Sequence, residues 1–312
     1  MSYYMKPLLA VAFGFFAISV TAFTYVVEHQ PFNKDRYGKV TTAVKRSSGE
    51  YDFLHPHSSN ELPDELLEVS GLTNLDGNTL ASVQDEDGIV FIYDLTQKKV
   101  IREIEFAGPG DYEGIARANN SLYVLRSDGK IFEIDDYRAD KFEVTSFNTD
   151  VPVKESEGLS FDAGNNRLLI AGKSKSKDDH YENMKVVYGF DLTKKEVLPA
   201  PVFTFSEDQI ARALKSYGAT KSGKKKGKEA GINPSGIAIH PITGQVYILS
   251  SQDHLLYVMS KAGEVEGVHP LDKKHFAQPE GITFLKNGDM YISNEGKKGG
   301  PTLLGFGYGK AK

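Results

Sequence analysis

Five pentapeptides of one pattern recur along the chain: Glu68–Leu72 (EVSGL), Asp111–Ile115 (DYEGI), Glu155–Leu159 (ESEGL), Asn233–Ile237 (NPSGI) and Gln278–Ile282 (QPEGI). Each sets an oxygen-bearing residue, any residue, Glu or Ser, Gly, then Ile or Leu. Brought together, the residues before the glycines make a ring of Ser70, Glu113, Glu157, Ser235 and Glu280. Two positions earlier lies a second set, Glu68, Asp111, Glu155, Asn233 and Gln278, which the period of two along a strand puts on the same side. Carboxylates held that close raise one another's pKa unless a cation or hydrogen-bond donors intervene. One compensator would be a hard divalent cation, calcium or another, which prefers carboxylate and amide oxygens; Glu113, Glu157 and Glu280 would be its ligands. The other is internal, with Arg126 and Lys173 reaching inward from the ends of the following strands, where Asp85, Ser251, Asn294 and Glu295 sit at similar places. The ring therefore reads either as an ion-pair and hydrogen-bond network pinning the fold, or as a ligand or metal pocket, with a catalytic centre as a subset of the pocket. The candidate ligand-binding face comprises Glu68, Asp111, Glu113, Arg126, Glu155, Glu157, Lys173, Ser235, Ser251, Glu280, Asn294 and Glu295.

The elements that must position these residues follow from the same repeat. The glycines stand at 71, 114, 158, 236 and 281, separated by 43, 44, 78 and 45 residues. A four-stranded propeller blade takes roughly 40–45 residues. After each motif come a turn signal (Asp76-Gly77, Asn119-Asn120, Asn165-Asn166, Thr243-Gly244, Asn287-Gly288) and a second β-rich run. Third strands are expected at Ile89–Tyr93, Lys130–Ile134, Lys185–Phe190, Leu255–Met259 and Thr302–Tyr308. The pattern predicts an all-β chain forming a single β-propeller of about five blades, with a sixth conceivable inside the long step. The last repeat runs out of chain after its third strand. Closure removes an open edge, and Tyr51–Leu54 is the predicted closing strand. The 78-residue step carries an insertion at residues 206–231: a helix beginning at the capping-box-like Ser206-Glu207-Asp208-Gln209, then Lys221–Lys228, a basic stretch that reads as a solvated loop or as an anionic-lipid or polyanion contact.

Composition narrows the classes. The 312 residues are 40% hydrophobic and 25% charged, with a formal net charge of −5; nucleic-acid binders carry a basic excess, so no nucleic-acid partner is expected. There is no cysteine, which removes disulfides, thiolate metal sites and cysteine nucleophiles. The eight histidines show no paired metal-ligand spacing, and no GxSxG, P-loop or Rossmann glycine pattern stands in its required context. Residues 7–27 lack any charge (PLLAVAFGFFAISVTAFTYVV). As a helix they would span roughly 30 Å, the thickness of a bilayer's hydrocarbon core. The run exceeds the apolar region of a signal peptide, so it reads as an uncleaved transmembrane anchor, with cleavage near Ser19–Ala22 as the alternative. Residues 1–6 form a cytoplasmic n-region, 28–60 a stalk that includes the closing strand, and 61–312 the propeller.

Read in order, Leu66–Leu72, Asp111–Ile115, Leu125–Gly129, Glu155–Leu159, Pro234–Ile237, Ser250–Asp253, Gln278–Ile282 and Ile292–Gly296 resemble the SdiA-regulated domain family of bacterial proteins, over about Tyr51 to Phe306. The resemblance implies a propeller, often membrane-attached or exported. It brings no reaction, since the family is named for the regulation of one member. Its members are similar to propellers that bind calcium, without a residue-level site for this chain. The stretch 200–232 departs from the shortest members. The expected function is a single-pass, membrane-anchored, extracytoplasmic (periplasmic) binding module. Its central channel would hold a divalent cation or a small polar ligand, or its face would meet a protein partner. The alternative is a metal-dependent hydrolase, lactonase- or phosphoesterase-like, using the same carboxylates; no catalytic set is recognised. A third class is a scaffold with an inert channel.

Overall fold

The computed structural model describes residues 51–218, 232–296 and 299–309. They form five antiparallel sheets, each laid out as a blade. The first strand, β1 (Ser58–Glu61), does not belong to the first blade. That blade is β2 (Val69–Asp76), β3 (Thr79–Gln84), β4 (Ile89–Asp94) and β5 (Lys99–Glu105). The second is β6 (Tyr112–Ala118), β7 (Ser121–Arg126), β8 (Ile131–Asp135) and β9 (Glu143–Phe147). The third is β10 (Ser156–Asp162), β11 (Arg167–Gly172) and β12 (Lys185–Asp191), its outer edge shared by β13 (Glu196–Val197) and β14 (Phe203–Phe205). After the helix α1 (Glu207–Ser216) the fourth is β15 (Gly236–Ile239), β16 (Val246–Ser250), β17 (Leu255–Met259) and β18 (Val265–Pro270). The fifth is β19 (Pro279–Phe284), β20 (Met290–Asn294) and β21 (Thr302–Phe306), completed by β1.

Burial follows the radial position of each strand. Middle strands such as β16 and β17 are buried at every residue, because both faces meet a neighbouring blade. Outer strands face water, β9 almost throughout. The core is correspondingly divided into five clusters, one between each pair of adjacent blades. Leu169 and Val187 meet Ile248 and Tyr257 between blades three and four; Leu72, Leu80 and Tyr93 meet Tyr291 and Leu303 between blades one and five, closing the circle.

Closure of the ring by an N-terminal strand is as predicted, but the strand is not Tyr51–Leu54. Ser58–Glu61 pairs with β21, from Ser58 opposite Gly305 to Glu61 opposite Thr302. The reason is the demand placed on each segment. An outermost strand needs backbone pairing more than apolar side chains, and β1 is polar with alternating half-burial. Tyr51 and Phe53 serve instead as aromatic anchors between blades four and five. The Tyr51 hydroxyl donates to the Gly288 carbonyl at 2.5 Å and lies 2.8 Å from Nε2 of the fully buried His240.

The insertion forms no sixth blade among the described residues. Ser206 accepts a hydrogen bond from the Gln209 amide at 3.2 Å, capping α1. Ile210, Ala213 and Leu214 pack into the cluster between blades three and four, and Gly218, at φ 64°, ends the helix. The basic stretch Lys221–Lys228, the anchor at 7–27 and the stalk as far as residue 50 lie outside the described residues. No helix among those described is long and apolar enough to cross a membrane.

Candidate functional site

The innermost strands β2, β6, β10, β15 and β19 all begin at the repeated motifs, and their glycines set the radius of the ring. A Cβ on Gly71 would stand 2.7 Å from the Ile115 amide, on Gly114 2.9 Å from the Leu159 amide, and on Gly158 3.2 Å from the Ile237 amide. On Gly236 it would drive into the Glu280 carbonyl oxygen, and on Gly281 it would stand 3.0 Å from the Ser70 carbonyl oxygen. Each blade thus rests its glycine on the backbone of the next until the fifth returns to the first. The ring of Ser70, Glu113, Glu157, Ser235 and Glu280, with the aliphatic collar Leu72, Ile115, Leu159, Ile237 and Ile282 just beyond the glycines, encloses a waist of only about 10 Å³.

A register shift falls at the residue before the glycine in four blades, between Val69 and Leu72, Tyr112 and Gly114, Ser156 and Gly158, and Pro279 and Ile282. Such a bulge re-aims the side chain it carries. It also breaks the period of two, although Asp111 still hydrogen-bonds Glu113 and Gln278 hydrogen-bonds Glu280. Glu68, Asp111 and Glu155 stay at the rim, partly or fully exposed.

Above the waist the channel opens into a mouth of about 300 Å³, built from blades three, four and five. Glu157, Lys173, Ser235, Ser251 and Glu280 line it, joined by Asn233, Gln252, His254 and Gln278. Lys173 donates from Nζ to Glu157, whose side chain is 6% exposed. Lys185 Nζ holds the Lys173 carbonyl and reaches Asn233 Oδ1 at 3.1 Å. Asn233 Nδ2 donates to Asp253 Oδ2 at 3.0 Å, which also accepts from the Ser250 hydroxyl at 2.8 Å. His254 sits in the left-handed region, at φ 51°, where a bulky residue is uncommon. Its buried Nδ1 has no hydrogen-bond partner among the described residues, and burial, with Lys273 nearby, pulls its pKa down.

Burial dominates the electrostatics. It pushes Glu113 up to about 10, helped by the charge of Glu157 and by a hydrogen bond to Asp111. Burial, with Glu295 and Glu157 nearby, pushes Glu280 up to about 8. Glu157 is raised by burial against the opposing pull of Lys173. Desolvation works against charge on Lys173, but the hydrogen bond and charge of Glu157 outweigh it and raise its pKa. Near neutrality the ring therefore holds two protonated carboxyls, Glu113 and Glu280, beside the hydrogen-bonded Lys173 and Glu157. The sign of the linkage follows: a carboxyl whose folded pKa lies above its unfolded value stabilises the fold fully at low pH and loses that contribution as pH rises through the folded value. Stability should fall by up to about 1.4 kcal/mol per pH unit for each such group between the unfolded value and about 8 for Glu280 or about 10 for Glu113. Denaturant titration between pH 5 and 9 checks this, and Glu280→Gln should flatten the slope.

Other candidate residues stand apart from the mouth. Arg126 does not compensate the ring: Asp128, two residues on, takes its guanidinium with bonds of 3.0 and 2.6 Å, and it lies over Phe132 at 5.9 Å. Glu155 pairs with Lys154 at 3.1 Å. Asn294 is buried, its Nδ2 bonding the His275 carbonyl at 3.2 Å and Thr302 at 3.0 Å. Glu295 accepts from Gln278 behind the wall. Glu68 contributes its carbonyl to the Asp85 amide and the Ser70 hydroxyl, both at 3.3 Å. Among the described residues no group of three or more His, Asp or Glu is placed to hold a metal ion; Lys173 engages Glu157, and Asp111 engages Glu113. Lys185 and His254 are not singled out in the sequence, and Gln252 and Asp253 stand there only within the Ser250–Asp253 motif. The Ser-Ser-Gln-Asp-His run after a second strand was the available signal for all but Lys185.

Comparison with known proteins places these features. No curated protein matches the sequence. Among solved structures, glutaminyl cyclase from Myxococcus xanthus is similar with a TM-score of 0.54 at 14% identity, over 81% of this chain and 94% of that one. A Bacteroides thetaiotaomicron protein of unknown function gives 0.48 at 14% identity, over 76% and 55% of the two chains. A luciferin-regenerating enzyme gives 0.47 at 10% identity, over 83% and 97%. At such identities the likeness speaks to the fold alone. The SdiA-regulated family profile spans residues 59–298, from the closing strand to the last blade; the chain belongs to the SdiA-regulated family.

Proposed function

We propose that the protein is a binding module, a membrane-tethered extracytoplasmic propeller whose acidic mouth takes a small polar ligand bearing a cationic N–H group. The observation that carries the reading is the mouth itself, about 300 Å³, lined by the buried Glu280 carboxyl with its raised pKa, by Glu157, and by the side-chain amides of Asn233, Gln252 and Gln278. An ammonium group entering there would displace a proton from Glu280 and donate its N–H groups to the carboxylate, while the amides of Asn233, Gln252 and Gln278 would orient the remainder. The uncharged run at 7–27 supports tethering at a membrane, with the propeller on its outer face. A divalent cation would compete for the same oxygens, and would have to displace Lys173 from Glu157 to gather three carboxylates. The hydrolase reading needs that same gathering.

Calorimetric titration of the full chain in detergent micelles with methylammonium, putrescine and calcium chloride tests the proposal. Amine binding should tighten about tenfold between pH 6.5 and 8.5 with release of a proton, and should be lost in Glu280→Gln, whose circular dichroism and melting remain those of a folded propeller. Calcium binding alone, or amine binding unchanged in Glu280→Gln, would overturn it.

A further inference from the structure

The channel has a second opening, at the other end of the innermost strands. Beyond the aliphatic collar it widens into a cavity of about 170 Å³, the volume of roughly five or six liquid waters. Its chemistry is the reverse of the acidic mouth. Arg117 lines it with Thr73, Asn74, Ser160 and Thr283, and no carboxylate does among the described residues.

The donors there are largely uncommitted. Arg117 Nε donates to the Asn119 carbonyl at 3.1 Å. Asp76 Oδ1 forms an ion pair with Nη1 at 3.6 Å, longer than a hydrogen bond, so the Nη groups keep N–H donors to offer. Asp76 is itself 60% exposed and already accepts from Arg138 at 3.1 Å. Thr73 and Thr283 use their hydroxyl oxygens as acceptors, from the Arg117 amide at 3.3 Å and the Asn74 amide at 3.0 Å; each keeps its O–H to donate. The Ser160 hydroxyl makes no hydrogen bond among the described residues. A guanidinium whose side chain is only 24% exposed, with three hydroxyls from three blades around a small cavity, matches one chemistry: a planar or tetrahedral oxyanion held by charge-assisted bonds.

We propose that this opening is a second ligand site, for a small carboxylate or phosphate, with Arg117 as the charge partner and Thr73, Ser160 and Thr283 as donors. The site is independent of the acidic mouth, from which the sealed waist divides it. It makes the propeller two-ended, cation-seeking at one end of the channel and anion-seeking at the other.

The test is a titration of the full chain in detergent micelles with sodium acetate, pyruvate or inorganic phosphate at constant ionic strength. The readout is the Nε–H resonance of Arg117, assigned by its loss in Arg117→Lys. A saturable shift is expected, together with a rise in melting temperature that follows ligand concentration. Saturation by acetate and pyruvate alone identifies a carboxylate ligand, and by phosphate alone a phosphate ligand; either supports the site. Ser160→Val, which narrows the cavity without touching the charge, should weaken binding at least tenfold, and Arg117→Met should abolish it. Amine binding at the acidic mouth should be unchanged in both. An equal shift with chloride, or undiminished binding in Ser160→Val, would overturn the proposal.

Discussion

Replacing Lys173 with methionine is expected to destabilise the propeller by about 2–4 kcal/mol at pH 8, and by much less at pH 5. Among the described residues Lys173 is the one Lys or Arg lining the acidic mouth, and it lies within the field of Glu113, Glu157 and Glu280 together. Removing one member of a buried pair leaves an uncompensated charge, worth roughly 3–5 kcal/mol when burial is complete. The Lys173 side chain is 31% exposed, so solvent screening reduces that figure. Methionine keeps the aliphatic stem, which separates lost charge from lost packing. Without the ammonium, Glu157 is pushed further up and must be protonated in the fold. The added cost therefore grows as pH rises and vanishes once the carboxyl is protonated in both states. Lys173→Met with Glu157→Gln should recover most of the loss, since no charge is then left unpaired. Chemical denaturation at the two pH values reads the effect, and a loss at pH 8 below about 0.5 kcal/mol in the single variant would remove Lys173 from the account.

Gly236→Ala is expected to be strongly disruptive, costing about 3 kcal/mol or more. Its Cβ would collide with the Glu280 backbone carbonyl and sit 3.3 Å from Ile282 Cγ2. A side chain rotates out of the way, but this carbonyl belongs to the next blade's innermost strand, so relief requires the ring to open. Gly77→Ala is the matched control. A Cβ there meets nothing within 4 Å, and its change should stay within about 0.5 kcal/mol. Denaturation midpoints of the two variants make the comparison. Equal behaviour would mean that the glycines are not what sets the ring's radius.

The same contrast explains what was legible in the sequence. The five glycines were readable because ring packing forbids any other residue at those places, and the spacing of that constraint is the blade count. The capped helix α1 was readable because Ser206, Glu207 and the buried Ile210 and Leu214 each act locally. The closing strand was misplaced because β1 lies on the rim, where pairing with β21 needs no apolar alternation. Tyr51 and Phe53 offered the hydrophobicity of a strand and serve as anchors. Arg126 was assigned inward because its place at a strand end matches that of Lys173; Asp128 in the following turn decides otherwise. The bulge at four of the five motifs is a backbone event that side-chain types do not announce, and Glu68, Asp111 and Glu155 lie at the rim. For His254 the Ser-Ser-Gln-Asp-His run offers only its position after a second strand, since the direction of its side chain depends on a left-handed backbone in a loop.

The central claim is that burial inside the glycine-set ring keeps two glutamates protonated where ordinary carboxyls are ionised. Carboxyl carbon NMR of the protein labelled at glutamate Cδ, titrated from pH 4 to 10.5 and assigned by Glu113→Gln and Glu280→Gln, tests it most directly. Two resonances should titrate far above the rest, Glu280 near 8 and Glu113 near 10. Should both titrate below about 5.5 with the other glutamates, the ring would be an ordinary solvated carboxylate surface, and the cation-seeking mouth would lose its physical basis.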